Sequence, residues 1–175
     1  MADQRAARVL ESVARIQARW GEGALRPLRD LSQVDAIATG FPALDAALGI
    51  GGIPRGQLTA LGGIPTSGAT TLAYRIIASA QGRRDHAIYM DVDGRFDPEY
   101  AALCGVHLKR LLLLHPPDTD NGLAAAQDLL LNESLNALVL DGVFSDDGLR
   151  RLLTPLHGSR CALISSRETR RVKAS

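Results

Sequence analysis

Five short, almost entirely apolar segments recur along this chain, and each is separated from the next by a stretch with helical periodicity. The apolar segments span residues 58–61, 87–90, 111–114, 137–140 and 161–164. The helical stretches span residues 70–81, 98–103, 122–134 and 147–153, the last with Asp146 as its N-cap. Strands that lack polar alternation are buried on both faces. The pattern therefore predicts an α/β core, in which helices flank a mostly parallel sheet of about five strands.

The N-terminal part of the chain precedes this alternation. Residues 4–20 have the pattern of an amphipathic helix. Its apolar stripe consists of Val9, Val13, Ile16 and Trp20. We expect two parts, an N-terminal helix and linker over residues 1–35 and a core over residues 36–175. Two interpretations of the stripe stay open: the helix folds back on its own core, or it is an arm that packs on a partner.

The composition is that of a globular protein. The 175 residues are 46% hydrophobic and 22% charged, and the net charge of +1 gives no argument for binding to nucleic acid or a membrane surface. Cys104 and Cys161 lack metal-ligand spacing and are predicted to be buried thiols. No apolar run reaches membrane length, and the N-terminus has no signal-like apolar region. The expectation is a cytoplasmic protein without membrane contact.

A glycine-bounded loop connects the first apolar segment to the first helix of the core. From Gly63 it reads Gly-x4-Gly-Ala-Thr, the spacing of a phosphate-binding P-loop with Ala69 where that motif has lysine. Backbone N–H groups and the helix dipole of such a loop bind anions without particular side chains. The nucleotide-binding residues predicted from it are Gly63, Ile64, Pro65, Thr66, Ser67, Gly68, Ala69, Thr70 and Thr71.

Ala69 decides what this loop can do. The lysine of the motif brings positive charge to the β and γ phosphates, and losing such a donor costs on the order of 10²–10³ in rate. The two lysines of the chain lie elsewhere, so a substitute cation would be an arginine. The candidates are Arg75, Arg95 and Arg167. We expect ATP hydrolysis to be absent or very weak, and ATP or ADP with Mg²⁺ to bind weakly through the backbone or not at all.

Three aspartates at the ends of apolar segments fit the same pocket. Asp141 ends Ala-Leu-Val-Leu-Asp, the form of a carboxylate that holds Mg²⁺ through water, together with the Thr70 hydroxyl. Asp91 and Asp93 end Ile-Tyr-Met-Asp-Val-Asp, where a water-activating carboxylate would stand. A single aspartate here is more simply explained as a cap of the next turn. Three at the carboxyl edge of one sheet favour a site.

Beyond these motifs, the chain resembles the bacterial RecA recombinase family. Matching segments occur in the family's order at residues 16–25, 37–40, 44–49, 51–56, 97–100 and 117–119. The resemblance implies that Tyr100 stacks on adenine with Asp97 near the amino group of the base. It places Asp141 at the Walker B position and Asp93 at a degenerate version of the catalytic glutamate position. It also implies that the N-terminal helix docks on a neighbouring subunit, which favours the arm.

The departures from the family pattern concern ATP coupling and DNA binding. Besides Ala69, the chain runs from Val143 almost directly into residues 145–151, where the first DNA-binding loop would lie. Residues 164–167 replace the segment that senses the γ phosphate. The resemblance further implies that the second DNA loop, the last core strands and the C-terminal domain are missing. We therefore expect a degenerate, C-terminally truncated paralogue.

The leading hypothesis from the sequence is a pseudo-ATPase that acts as an accessory or regulatory binding protein in DNA repair, recombination or SOS mutagenesis. Its expected partners are a RecA-type recombinase or the accessory proteins of a translesion polymerase complex. Self-association is left open, and DNA binding is expected to be weak or indirect. The alternative is a slow ATP-dependent ATPase or DNA-binding recombinase with a substitute cation. A decayed paralogue that binds nothing is the third interpretation.

Overall fold

The structure falls into two compact units, Met1–Val34 and Asp35–Ser175. This computed structural model describes residues 2–21, 34–64, 66–82, 86–131 and 135–168, with the backbone alone for residues 2–8, Trp20, Arg167 and Glu168. The first unit contains helix α1 (Ala2–Trp20). Within its predicted stripe, Val9 is 61% exposed, and neither Val13 nor Ile16 is buried.

The second unit alternates strands and helices, as the apolar segments predict. In chain order its elements are β1 (Ala36–Ile37), α2 (Pro42–Leu48), β2 (Ile53–Pro54), β3 (Leu58–Gly63), α3 (Ala69–Ala80), β4 (His86–Asp91), α4 (Pro98–Leu103), β5 (Leu111–Leu114), α5 (Thr119–Leu130), β6 (Leu135–Asp141), α6 (Asp146–Arg151), α7 (Leu153–Leu156) and β7 (Ala162–Glu168). A 3₁₀ turn at Leu108–Arg110 precedes β5.

Five of the strands form one parallel sheet in the order β3–β7–β6–β4–β5. The short strands β1 and β2 form a separate antiparallel pair. The predicted fold class, a parallel five-stranded α/β sheet flanked by helices, is confirmed. The strand that leads into the glycine-bounded loop, β3, has β7 as its neighbour, and β7 in turn pairs with β6, the strand that ends in Asp141.

Two apolar clusters cover the sheet. One joins α3 to the sheet through Ile76 and Ile77 against Val139 and Ile164, all fully buried. The other joins α5, α6 and α7 to the sheet through residues that include Leu123, Leu138 and Leu163. Because consecutive strand residues face opposite sides, both clusters draw on the same strands, which explains why these strands show no polar alternation.

Three details of the predicted elements are wrong. The N-cap of α6 is Ser145, whose hydroxyl accepts a hydrogen bond from the N–H of Gly148 at 3.1 Å, and Asp146 is the first helical residue. The stretch predicted as one helix over residues 147–153 is two short helices, α6 and α7. The helix predicted over residues 122–134 begins earlier, at Thr119, where the Asp118 side chain accepts from the N–H of Asn121 at 2.8 Å.

Both cysteines are buried, as predicted. Burial raises the pKa of the Cys161 thiol to about 12, so this group stays protonated and unreactive at neutral pH. Within the ranges that the structure describes, no helix combines the length and the apolar character that a bilayer crossing requires.

Candidate functional site

The carboxyl ends of the parallel strands bring the predicted acidic residues into one row. Asp91 at the end of β4 lies beside Asp141 at the end of β6. Asp141 in turn lies beside Ser166 of β7, which pairs with Leu61 of β3. Neighbouring strands are about 4.8 Å apart, so the side chains of this row share one edge of the sheet. This is the edge where ligands bind in open parallel sheets.

The loop between β3 and α3 wraps back on itself before the helix begins. The N–H of Ser67 donates to the carbonyl of Ile64 at 3.0 Å, and Gly68 adopts a left-handed conformation with φ of 87° directly before α3. Thr66 has φ of 70°, which is unfavourable for a β-branched residue. Strained backbone of this kind persists where the surroundings impose it, and it concentrates at ligand-binding sites. Pro65 lies outside the described residues.

Gly63 allows the loop to close over the end of β3. A Cβ atom at this position would lie 2.7 Å from the Cβ of Ser67 and would overlap its hydroxyl. The side chain of Ser67 fills the space next to Gly63. A residue with a Cβ atom would therefore not fit at this first glycine of the motif. The N–H groups of the first turn of α3 have no acceptor within the helix, and the helix dipole adds positive potential at this end.

A pocket of about 360 Å³ opens at this loop and collects most of the predicted site. Its walls are Gly63, Ile64, Thr66, Ser67, Gly68, Ala69, Thr70, Thr71, Arg95, Tyr100, Asp141 and Ser166. The structure thus brings the described loop residues together with Tyr100 and Asp141. Asp93 and Asp97 do not line the pocket.

The three candidate arginines have different positions. Arg95 lines the pocket, and its guanidinium forms an ion pair with Asp93 at 2.7 Å, with both side chains about half exposed. Arg75 instead donates to the carbonyls of Gly40 and Cys104 at 3.4 and 3.3 Å, so it ties α3 to two neighbouring segments. The side chain of Arg167 lies outside the described residues. Sequence reasoning had not ranked the three.

Asp141 is held by a tyrosine that the sequence analysis overlooked. The Tyr89 hydroxyl donates to Oδ2 of Asp141 at 2.7 Å. Desolvation by burial raises the pKa of Asp141, and the bond from Tyr89 and the charge of Arg95 oppose that rise. Burial and the nearby carboxylates also raise the pKa of Tyr89, which keeps its proton available for the bond. Tyr89 and Asp91 are two apart on β4 and share a face, and Asp91 pairs with Asp141 of β6. The contact with Asp141 therefore depends on the pairing of β4 with β6, which the spacing along the chain does not reveal.

Asp91 has a structural role, because it caps the turn that follows β4. This is the simpler of the two explanations for an aspartate at the end of a strand. The Asp91 carboxylate is buried and accepts from the backbone N–H groups of Arg95 and Phe96 at 2.9 and 2.8 Å. These bonds fix the turn that carries Arg95 back toward the pocket. The ring of His115 lies against Asp91, with Nδ1 at 3.1 Å from its backbone oxygen.

Tyr100 lines the pocket and is 40% exposed. Its hydroxyl forms a hydrogen bond of 2.7 Å with the hydroxyl of Thr71, and its ring packs edge-on against Tyr74. Asp97 is the N-cap of α4 and accepts from the N–H of Tyr100 at 2.9 Å. The Asp97 carboxylate therefore caps the helix that carries Tyr100, and Tyr100 lines the same pocket as the phosphate loop.

Ser166 is one further polar residue of the pocket wall, and its role in the site was not predicted from the sequence. Ser166 belongs to the segment interpreted as a replacement for the γ-phosphate sensor, and the structure places it in β7 beside Asp141. In the part of the chain that is described, no three His, Cys, Asp or Glu side chains form a metal cluster. Mg²⁺ does not need one, because it usually binds through one or two protein groups, several waters and substrate phosphates.

Comparison with known proteins gives a consistent result. The family model described as the RecA N-terminal domain matches residues 7–150. The RecA protein of Aquifex aeolicus is 38% identical over 134 residues, which is 75% of this chain and 39% of that protein. The RecA protein of Levilactobacillus brevis is 37% identical over 145 residues, 82% of this chain and 38% of that protein. The chain thus spans under two-fifths of the length of these relatives. By the extent of both matches, the chain belongs to the RecA family.

Proposed function

We propose that this RecA-family chain is a nucleotide-binding pseudo-ATPase, an accessory or regulatory protein of DNA repair and recombination. It would act by binding a partner, in a state set by the nucleotide in its pocket. One observation carries the proposal: the same pocket contains a closed phosphate loop and Ala69, which stands where the motif has lysine. Such a loop retains its backbone donors while it lacks the cation that supports phosphoryl transfer.

The pocket walls fit a magnesium nucleotide. The first turn of α3 and the loop would hold the phosphates, and the Thr70 hydroxyl and the Asp141 carboxylate would hold Mg²⁺, the latter through water. Tyr100, which lines the pocket, offers a ring face to a base. The cation would supply charge neutralisation between phosphate oxygens and Asp141. Tyr89 orients that carboxylate by donating to Oδ2.

The short connection after β6 supports a role without a DNA-binding loop at this place. Only residues 142–144 separate Asp141 from Ser145, the N-cap of α6. The proposed partners are therefore proteins, namely a RecA-type recombinase or a translesion polymerase complex. Helix α1, with Val9 exposed, is the proposed docking element. SOS mutagenesis is the proposed setting for a polymerase partner.

A second candidate function, a slow ATPase with a substitute cation, is favoured by the position of Arg95 in the pocket. Against it stands the ion pair between Arg95 and Asp93, the residue proposed for water activation. The guanidinium occupies a carboxylate oxygen of Asp93 that would otherwise be available to a water molecule. Measurable ATP turnover that disappears in Asp141→Asn or Thr70→Val would establish this candidate in place of the pseudo-ATPase.

Calorimetry with ATP and ADP in the presence of Mg²⁺, together with an ATP turnover assay, tests the proposal. The wild type is expected to bind both nucleotides without turnover, and Ala69→Lys is expected to bind ATP more tightly by roughly tenfold or more, as for a new charge-assisted contact. The matched control is Ser79→Lys, at an exposed position on the same helix that does not line the pocket. Failure of both the wild type and Ala69→Lys to bind would refute the nucleotide site.

A further inference from the structure

Arg95 is a cation that lines the same pocket as Ala69, the residue that stands where the motif has lysine. It lies on the loop after β4, and it shares the pocket with Ala69, Thr70 and Asp141. Its position does not depend on a long flexible loop. The N–H groups of Arg95 and Phe96 both donate to the buried carboxylate of Asp91, so the backbone at Arg95 is fixed to the end of β4.

The side chain of Arg95 is also oriented. One N–H of its guanidinium donates to Asp93 at 2.7 Å, and both side chains stay about half exposed. A guanidinium has five N–H donors in a planar fork, so it can bind a carboxylate and a phosphate oxygen at the same time. Held in this way, Arg95 loses less conformational entropy on meeting a phosphate than an unrestrained arginine would.

The charges around Arg95 show why a cation at this position is needed. Asp141 lies on the pocket wall with its pKa raised by desolvation, and the carboxylates of Asp91 and Asp93 add to that rise. A polyphosphate brought into this pocket would lie near the Asp141 carboxylate without a lysine to balance the negative charge. Arg95, which lines the same pocket, supplies that balance.

We propose that Arg95 takes the place of the missing lysine as the phosphate-binding cation, and that Asp93 is its positioning residue. This rests on the proposed nucleotide site and specifies its ligand as a nucleoside di- or triphosphate. The same ion pair occupies Asp93, the residue at the water-activating position. One interaction would thus retain phosphate affinity and suppress hydrolysis, which is the combination expected of a pseudo-ATPase.

The test compares binding of ATP, ADP and adenosine, each with Mg²⁺, by calorimetry on the full chain. For Arg95→Gln we expect affinity for ATP and ADP to fall by roughly tenfold to a hundredfold, the usual effect of losing a charged hydrogen bond, with adenosine unaffected. Arg150→Gln is the matched control, since Arg150 is 76% exposed in its side chain and does not line the pocket. Ala69→Lys combined with Arg95→Gln should recover the lost affinity.

The outcomes separate this inference from the proposed function. Equal ATP binding by the wild type and Arg95→Gln would overturn the role of Arg95 and leave the nucleotide site standing. Binding by Ala69→Lys but not by the wild type would also overturn it, because Arg95 would then not replace the lysine. Absence of binding in both would refute the site itself. Thermal unfolding of Arg95→Gln, whose side chain is half exposed, verifies that the fold is retained.

Discussion

Single residues at the sheet edge have two kinds of role: some fix the backbone around the pocket, and others line the pocket. Asp91 is buried, and its carboxylate oxygens accept hydrogen bonds from two backbone N–H groups. Asp141 instead has a partly buried carboxylate that lines the pocket. The two occupy equivalent register positions on neighbouring strands. Their different roles follow from their partners, because the chain after Asp91 turns back and donates two N–H groups to it, whereas Asp141 accepts from the Tyr89 hydroxyl.

The raised pKa of Asp141 implies a cost to folding that Asp141→Asn removes. The folded state binds a proton at this group more tightly than the unfolded state, whose pKa is near the ordinary 3.8. The ionised carboxylate therefore destabilises the fold fully above the raised pKa, partly between that value and 3.8, and not below. We expect Asp141→Asn to raise the melting temperature at pH 7 by roughly 2 °C, a small effect because the group is partly solvated.

Differential scanning calorimetry from pH 3 to pH 8 measures the difference in melting temperature between the two proteins. This difference should disappear as the pH falls from the raised pKa of Asp141 to below 3.8. Asp147→Asn is the control, because its side chain is 85% exposed. A lower melting temperature of Asp141→Asn at pH 7 would contradict the prediction. It would mean that the hydrogen bond from Tyr89 to the charged carboxylate outweighs the desolvation of Asp141.

The residue scale also shows where sequence reasoning ends. The loop spacing and the strand-end aspartates were visible as patterns, and the structure gathers Gly63, Thr70 and Asp141 into one pocket. The choice among three arginines was not visible, since it depends on how the loop after β4 turns. The role of Tyr89 depends on contact between two strands far apart in sequence. Such pairings are set by sheet order, which local patterns do not encode.

At the scale of elements, most of the pocket wall comes from helix α3 and the loop that connects it to β3. The bounds of β5 and α4 match the predicted segments, because apolar runs and a proline mark them clearly. The wrong predictions concern helix ends, where two neighbouring residues can each serve as the N-cap. Ser145 and Asp146 are both good N-cap residues, and the backbone geometry selects Ser145. β7 extends beyond its apolar run, since pairing with β3 continues through Glu168.

The glycines of β3 give a matched test of loop closure. A methyl group at Gly63 would press on Ser67, whose Cβ would be 2.7 Å away, while a methyl group at Gly62 meets nothing within 4 Å. Gly63→Ala is expected to open the loop, weaken ATP binding by roughly tenfold or more and lower the melting temperature by about 2–4 °C. Gly62→Ala should leave both unchanged or slightly raise stability. Calorimetry and thermal unfolding measure the pair. Equal effects of the two substitutions would show that closure over Gly63 is not required.

At the scale of the whole molecule, the chain consists of a sheet unit with a pocket and a separate helical unit. The sheet unit carries the features proposed for nucleotide binding, and α1 carries those proposed for partner binding. The pattern of α1 was readable from sequence because its apolar stripe repeats every three to four residues. What the stripe contacts was not readable, because an amphipathic helix serves equally on its own core or on another protein. Only a binding measurement distinguishes the two uses.

The last prediction concerns this docking. Val13→Glu combined with Ile16→Glu is expected to abolish co-purification with the host's RecA-type recombinase, because two charges would lie in the apolar stripe. Ala18→Glu is the matched control, since Ala18 is exposed and lies on the opposite side of α1 from the stripe. Circular dichroism verifies that both variants keep the helix. If the stripe packs on its own core instead, the double substitution should lower the melting temperature and leave recombinase binding unchanged, and the arm interpretation would be discarded.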